Sequence, residues 1–395
     1  MKRLAAALVA GTMAFSLAAC GGTSDDGVAD GTVRIGVLGP KTSDQPQFWD
    51  ETIRPIEMAA DTLGEKYGLD IEIIEADDQG TPDGASRGVQ QLLNQEHVDV
   101  IFGPANSGNA IQIGDVVQRA GRPWFIAALA ADAVNEELDP NWAFRTNYNA
   151  NDLTSVVGQL MFTGDNRVGV VYSADGFGQS TLKSMQSEAE KLGVEIAAEE
   201  SIQPGAADFN AGVARLKAAG VNQVFVAITG GSDIATVTRS IVQGGLNPDL
   251  VVTNASIMAD FSELADPAQW ENLVFVDSRD LTSESFTTID EQYTARFGEP
   301  VTLPTNVHSN LAAMDAYLQA VKAAGSAQDY DAVLAELESL ETVNAGTDSF
   351  EKPFGKGDHE LYEGDELGAW YVLGFDEAGA LTNRGSVEQC MNTNC

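Results

Sequence analysis

Residues 98–133, VDVIFGPANSGNAIQIGDVVQRAGRPWFIAALAADA, carry the pattern that decides the fold. Val98–Phe102 is a short apolar run halted by Gly103-Pro104, which reads as a buried strand that ends abruptly. A small polar turn, Ala105-Asn106-Ser107-Gly108, precedes a helical pattern in which Ile111, Ile113, Val116 and Val117 are apolar. Ser107 or Asn109 is placed to cap that helix, because a short side-chain oxygen accepts from the free N–H groups of a first turn. Gly121-Arg122-Pro123 ends the helix, and Trp124–Ala127 begins another apolar strand. Strand, loop, helix and strand in this order build parallel sheets, whose ligands sit beyond the carboxyl ends of the strands. The loops at 103–109 and 127–132 are therefore expected to form one wall of a pocket.

The same grammar extends in both directions. Upstream, Val33–Leu38 is an apolar strand stopped by Gly39-Pro40, Ile53–Leu63 has a helical period, and Leu69–Ala76 is a second strand. Downstream, strands at Arg167–Tyr172, Val194–Glu199, Gln223–Ile228 and Leu250–Thr253 alternate with helices at Thr181–Leu192, Phe209–Ala219 and Ile234–Gln243. A longer apolar helix is expected at His308–Ala324. A chain of 395 residues can form two cores, and the second series repeats the first. The expected fold is α/β, with two Rossmann-like lobes of parallel sheet joined by three crossings. Placing these near Asn147–Asp152, Asp277–Arg279 and Thr347–Phe350 assigns 32–148 with 278–347 to lobe 1. Lobe 2 then holds 149–277 with 348–395, and a cleft separates the two.

Charge excludes some partners. With 22 Lys+Arg against 59 Asp+Glu, a net −37 argues against electrostatic binding of nucleic acid or an anionic membrane face. No GxGxxG, GxxxxGK[ST] or GxSxG spacing is present, so no phosphate-cradling loop or nucleophile elbow is signalled. His97, His308 and His359 are too dispersed to suggest a triad or a zinc site. Neither cofactor, metal nor enzyme activity is expected.

At the N-terminus, Lys2 and Arg3 precede an apolar run over Leu4–Ala19 that is too short to span a bilayer. Leu17-Ala18-Ala19-Cys20, followed by Gly21-Gly22-Thr23-Ser24, resembles a bacterial lipoprotein signal and lipobox. That likeness implies a signal peptide at 1–19, lipid on Cys20 and a flexible tether over 20–31; an ordinary secretory signal is the alternative. No other stretch approaches 18 apolar residues, so no transmembrane helix is expected. Export would permit a disulfide between Cys390 and Cys395, two free thiols being the other reading.

Several segments taken together resemble the type I periplasmic-binding-fold lipoproteins of the branched-chain amino acid, amide and urea class, the leucine-binding-protein-like subunits of ABC importers. They are Ile35-Gly36-Val37-Leu38-Gly39-Pro40, Ile101-Phe102-Gly103-Pro104 with Ser107, Arg122-Pro123, Phe144-Arg145-Thr146 with Asn151-Asp152, Ser173–Gly178 and Phe354–His359. The resemblance implies a monomeric receptor on the extracytoplasmic face of the cell envelope, closing on a small amino acid-like or amide-like solute and handing it to membrane permease subunits. A sensor that signals to a membrane partner is the alternative role. The ligand-binding positions it implies are Trp49, Asn106, Ser107, Gly108, Ala128, Leu129, Ala131, Phe177, Thr229, Gly230 and Ser256. Ser107 falls where that family holds a ligand oxygen, and its replacement by alanine is expected to leave stability nearly unchanged. Ala131 stands where amino-acid binders place a threonine, and the nearest acids for an ammonium group, Asp233 and Asp260, align poorly. Trp49, with Phe48 and Gln47, either covers the ligand or packs in the core.

Overall fold

The computed structural model describes residues 32–43, 46–130, 133–134, 137–254, 272–362, 367–375 and 381–393. The expected signal, tether and Cys20 lie outside this set, as do Ala131, Ser256, Asp260 and Cys395.

Five parallel strands form the first sheet: β1 (Thr32–Gly39), β2 (Asp70–Asp77), β3 (Val100–Phe102), β4 (Trp124–Ile126) and β5 (Ala143–Arg145), in the order β2-β1-β3-β4-β5. The second sheet contains β6 (Val168–Ser173), β7 (Ala198–Ile202), β8 (Gln223–Ala227), β9 (Leu250–Asn254) and β10 (Leu273–Asp277). Their order, β7-β6-β8-β9-β10, reproduces that of the first sheet, so the two halves are topological copies. Helices α1 (Pro46–Tyr67), α2 (Pro82–Asn94) and α3 (Ser107–Ala120) connect the first sheet. Helices α4 (Ala150–Met161), α5 (Gly176–Leu192), α6 (Asn210–Ala218) and α7 (Gly231–Gln243) serve the second. Buried on both faces, the inner strands are apolar throughout: β3 and β8 have every residue buried.

The C-terminal third belongs to both halves. Helices α8 (Glu284–Phe297), α9 (Pro304–Ala324) and α10 (Tyr330–Leu337) pack on the first half, where Tyr317 of α9 meets Phe102 and Phe125 edge-on. A hairpin, β11 (Thr342–Ala345) with β12 (Asp348–Glu351), stays with them. The chain then returns through β13 (Tyr371–Phe375), which pairs antiparallel with β10, then β14 (Leu381–Ser386) and α11 (Val387–Thr393). Cys390 of α11 is disulfide-bonded.

The third passage between lobes corrects the sequence-based expectation. Residues 348–361 remain with lobe 1: Phe354 and Leu361 sit in its core, His359 stacks on Phe144 at 4.0 Å, and Leu361 N–H donates to the Arg145 carbonyl. Crossing occurs after Tyr362, which touches both cores. A polar run such as Phe354-Gly355-Lys356-Gly357-Asp358-His359 hides this, because its core contacts are remote in sequence: the rings of Phe354 and His359 both pack on Phe144, and His359 Nδ1 bonds the carbonyl of Ala143, 216 positions away.

The first two turns of α9 join the passages. Thr305 donates to Asp277, Ser309 shares a hydrogen bond with Thr146, Asn306 Oδ1 faces Asn147 Nδ2, and His308 Nε2 meets Asp348 at 2.9 Å. The helix starts four residues before the expected His308, since Pro304 occupies a first-turn position where its missing N–H costs nothing.

Gly103 shows how tightly the opening stretch is packed. Its φ is +86°, and a β-carbon there would lie 2.2 Å from the carbonyl oxygen of Leu38. Gly103→Ala is expected to cost about 3 kcal/mol, from strain and overpacking combined. Urea unfolding would measure it, and a loss under about 1 kcal/mol would show that the β1–β3 junction relaxes.

Candidate functional site

In a doubly wound sheet the strand order reverses between two inner strands, and their carboxyl-end loops diverge to leave a crevice. Here the reversals lie between β1 and β3 in one half and between β6 and β8 in the other. A cavity of about 30 Å³ lies among loops from both reversals. Phe48, at the start of α1, follows β1; Ala105, Asn106 and Ser107 follow β3; Ala127 and Leu129 follow β4. From the other half come Phe177 after β6 and Ile228 with Thr229 after β8, while Asn306 enters from α9.

The halves are closed on one another. A β-carbon on Gly176, the first residue of α5, would meet Cα and N of Gly108 in α3 at 2.8 Å. Two helix N-termini thus face each other beside the cavity, and the positive ends of their dipoles favour an anion or a carbonyl oxygen. Room for one or two waters remains inside, so a solute of amino-acid size enters only when the halves part.

The polar groups divide by half. In lobe 2, Asp175 caps α5 by accepting from Gly178 N–H, and it also accepts from the Ser173 and Thr229 hydroxyls. The Thr229 proton is therefore committed. In lobe 1, the true cap of α3 is Asn106, whose Oδ1 accepts from Gly108 and Asn109 N–H. Asp78 of the β2–α2 loop accepts from Asn109 Nδ2 at 2.9 Å and braces that turn; burial raises its carboxyl above the ordinary value. Ser107 has a different task from the expected cap: its Oγ accepts from Ala130 N–H at 3.1 Å, holding the β4 loop, and its own proton has no acceptor among the described residues. Asn306 is 4 % exposed, and its Nδ2 has no hydrogen-bond partner among the described residues. Those ten lining residues include no ionisable side chain.

Of the expected positions, Asn106, Ser107, Leu129, Phe177 and Thr229 line the cavity. Gly108 forms the inter-lobe contact beside it, and Gly230 caps α7. Trp49 does not line it: the indole packs in the lobe 1 core against Gly39, and the neighbouring Phe48 faces the cavity instead. Because α1 begins at Pro46, adjacent residues point about 100° apart, so only one of the pair reaches the cavity. Ala128 is fully buried among α2 and α3 residues. Asp233 accepts from Gly205 N–H and is spent on that turn. Ala131 and Ser256 fall outside the described residues. Ile228 and Asn306 were not anticipated; Pro304 at a helix start is the signal that would have brought Asn306 into the first turn.

Two halves of like topology with a cavity at their paired switch points define a two-lobed α/β protein. A family model described as periplasmic binding protein matches residues 32–365, and the chain belongs to that family. It is 25 % identical over 239 residues to a Leu/Ile/Val-binding protein homolog of Brucella melitensis, covering 57 % of this chain and 59 % of that protein. The chain thus matches less than two thirds of that relative's length. Among solved structures, a type 1 periplasmic binding protein from Bordetella pertussis superposes with TM-score 0.79 at 22 % identity, covering 90 % of this chain and all of the other. A branched-chain amino acid transporter substrate binding protein from Streptococcus pneumoniae, in complex with isoleucine, gives TM-score 0.72 at 17 % identity over 89 % of this chain and 99 % of that one. These likenesses establish the type I fold. No helix of the described residues is long and apolar enough to cross a membrane.

Proposed function

We propose that this chain is an extracytoplasmic solute receptor, tethered by lipid on Cys20, that closes on a small organic solute and presents it to an ABC importer. The observation that carries the reading is the cavity at both switch points, with Asn306, whose Nδ2 has no partner among the described residues, and the Ser107 hydroxyl on its wall from one lobe and Phe177 and Ile228 from the other. Such a lining suits a ligand with an oxygen head, an amide or a carboxylate, and an apolar body. Selection of the closed form by differential affinity, without covalent chemistry, is the mechanism.

A thermal-shift screen of residues 21–395 against amino acids, amides, urea, aromatic acids and polyols tests it, since a ligand that binds only the folded state raises the melting temperature by mass action. For the best hit, Asn306→Leu is expected to weaken binding about ten- to a hundredfold, through loss of a buried donor to an oxygen. Ser107→Ala is expected to weaken it as well and, against the sequence-based expectation, to cost about 1–3 kcal/mol of stability, because Ala130 N–H is left buried without an acceptor. Unchanged affinity in Asn306→Leu would remove this cavity as the binding site.

A further inference from the structure

A second hollow, about 310 Å³, lies at the passages between the lobes, away from the interlobe cavity. Its walls come from both sides: Phe286, Pro304, His308 and Phe350 from lobe 1, Tyr371 of β13 from lobe 2, and Ser278 with Arg279 from the second passage. Arg279 dominates it. Rings of Phe350 and Tyr362 lie 5.3 and 4.9 Å from the guanidinium carbon, and Nη1 donates to Asp348 Oδ2 at 3.2 Å. Faces and one end being so occupied, the remaining edge is Nε with Nη2. Neither of these nitrogens, nor the neighbouring Ser278 Oγ, has a hydrogen-bond partner among the described residues, and all three are shielded from bulk solvent.

The Nε–Nη2 edge is the side of a guanidinium that grips the two oxygens of a carboxylate in parallel. Leaving a buried charged donor unmatched is costly, so this edge is built to receive an acceptor. We propose that the hinge hollow binds a small organic monocarboxylate, held side-on by Arg279 Nε and Nη2 with a third hydrogen bond from Ser278 Oγ. Charge allows the occupant at most one negative charge. Arg279, the one cation among the described wall residues, already pairs with Asp348, and Asp280 and the buried Asp277 stand beside it, so the free Nε–Nη2 edge rather than spare charge is what holds the carboxylate. His308 adds no positive charge, because burial and the nearby guanidinium push its imidazole down to about 4. A phosphate dianion would meet two carboxylates across one guanidinium. Phe286, Pro304, Phe350 and Ala369 offer apolar surface for a short hydrocarbon body. Since the walls belong to both lobes and to the passage between them, occupancy and lobe angle are thermodynamically linked.

Titration of the whole chain, labelled with 15N-arginine, with sodium acetate against sodium chloride at equal ionic strength tests the site. The Nε–Hε resonance of Arg279, assigned by its absence from Arg279→Lys, is expected to shift and saturate with acetate but not with chloride. Ser278→Ala is expected to weaken that saturation at least threefold, and it keeps the experiment decisive if Arg279→Lys does not fold, since the resonance that loses saturation in it is then the reporter. Sodium phosphate at the same concentration is expected to give a smaller shift. An arginine spectrum that responds to acetate no more than to chloride, a response unchanged in Ser278→Ala, or a phosphate response stronger than that of acetate would overturn the assignment.

Discussion

Gly176→Val is expected to abolish tight ligand capture while leaving the folded lobes intact. A β-carbon at Gly176 would already sit 2.8 Å from Gly108 Cα, and the contact on both sides is backbone, which cannot rotate away. Nor can α5 retreat, because a β-carbon at Gly178 would lie 2.1 Å from the Ser173 carbonyl oxygen, so the helix already abuts β6. Within lobe 2 a first-turn side chain is tolerated, and a residue other than glycine is slightly favoured in a helix. Closure alone bears the cost. Affinity for the ligand found by the screen is expected to fall at least thirtyfold, equivalent to about 2 kcal/mol. The radius of gyration from small-angle scattering, measured with saturating ligand, is expected to stay at the open value. Wild-type-like contraction together with affinity within twofold of wild type would mean that the closed state does not bring these glycines together.

Glu51→Gln is expected to stabilise the chain above neutral pH. Glu51 lies in α1, 2 % exposed, with Oε1 accepting from the N–H and hydroxyl of Thr302 and Oε2 left without a partner among the described residues. Burial pushes its carboxyl from 4.5 up to about 7, outweighing the Thr302 hydrogen bonds. Between those values the unfolded chain has lost the proton and the folded chain keeps it. Stability contributed at this site therefore falls as pH rises from about 4.5 to about 7, then levels off. The total is about 3 kcal/mol as an upper figure. Glutamine resembles the protonated acid, keeps the Oε1 acceptor and does not titrate. The variant is expected to exceed wild type by about 2 kcal/mol at pH 8 and to match it at pH 4.5. Asp277, pushed up to about 6 by burial, and His308, pushed down to about 4, titrate in both chains, so the difference between variant and wild type isolates Glu51. A pH-independent difference in urea midpoint would sink the account.

The architecture was legible because its signals are local. Apolar runs halted by glycine and proline mark strands, a 3.6-residue period marks helices, and their alternation dictates a parallel sheet, so 98–133 alone implied strand, loop, helix and strand. The structure returns that order, and the repeat of strand order in the two sheets follows from it. The loops that carry Asn106, Ser107 and Leu129 were equally readable, since carboxyl ends of parallel strands converge on switch points whatever the side chains, whereas Phe177 and Thr229 were implied only by the family resemblance.

Direction and distance were not legible. Whether Phe48 or Trp49 meets the cavity depends on where α1 begins, and one residue of phase moves a side chain by about 100°. Asn306 is 199 positions from Ser107 and meets it across one cavity only because α9 packs on Phe102 and Phe125 through Tyr317. The same holds for residues 348–361, whose place in lobe 1 rests on His359 stacking against Phe144. By itself, then, the sequence determined which segments are strands, helices and loops and the order in which they must pack. Only tertiary structure decided which side chains are left facing one another without partners, because that depends on helix phase and on contacts between residues hundreds of positions apart, which no local pattern encodes.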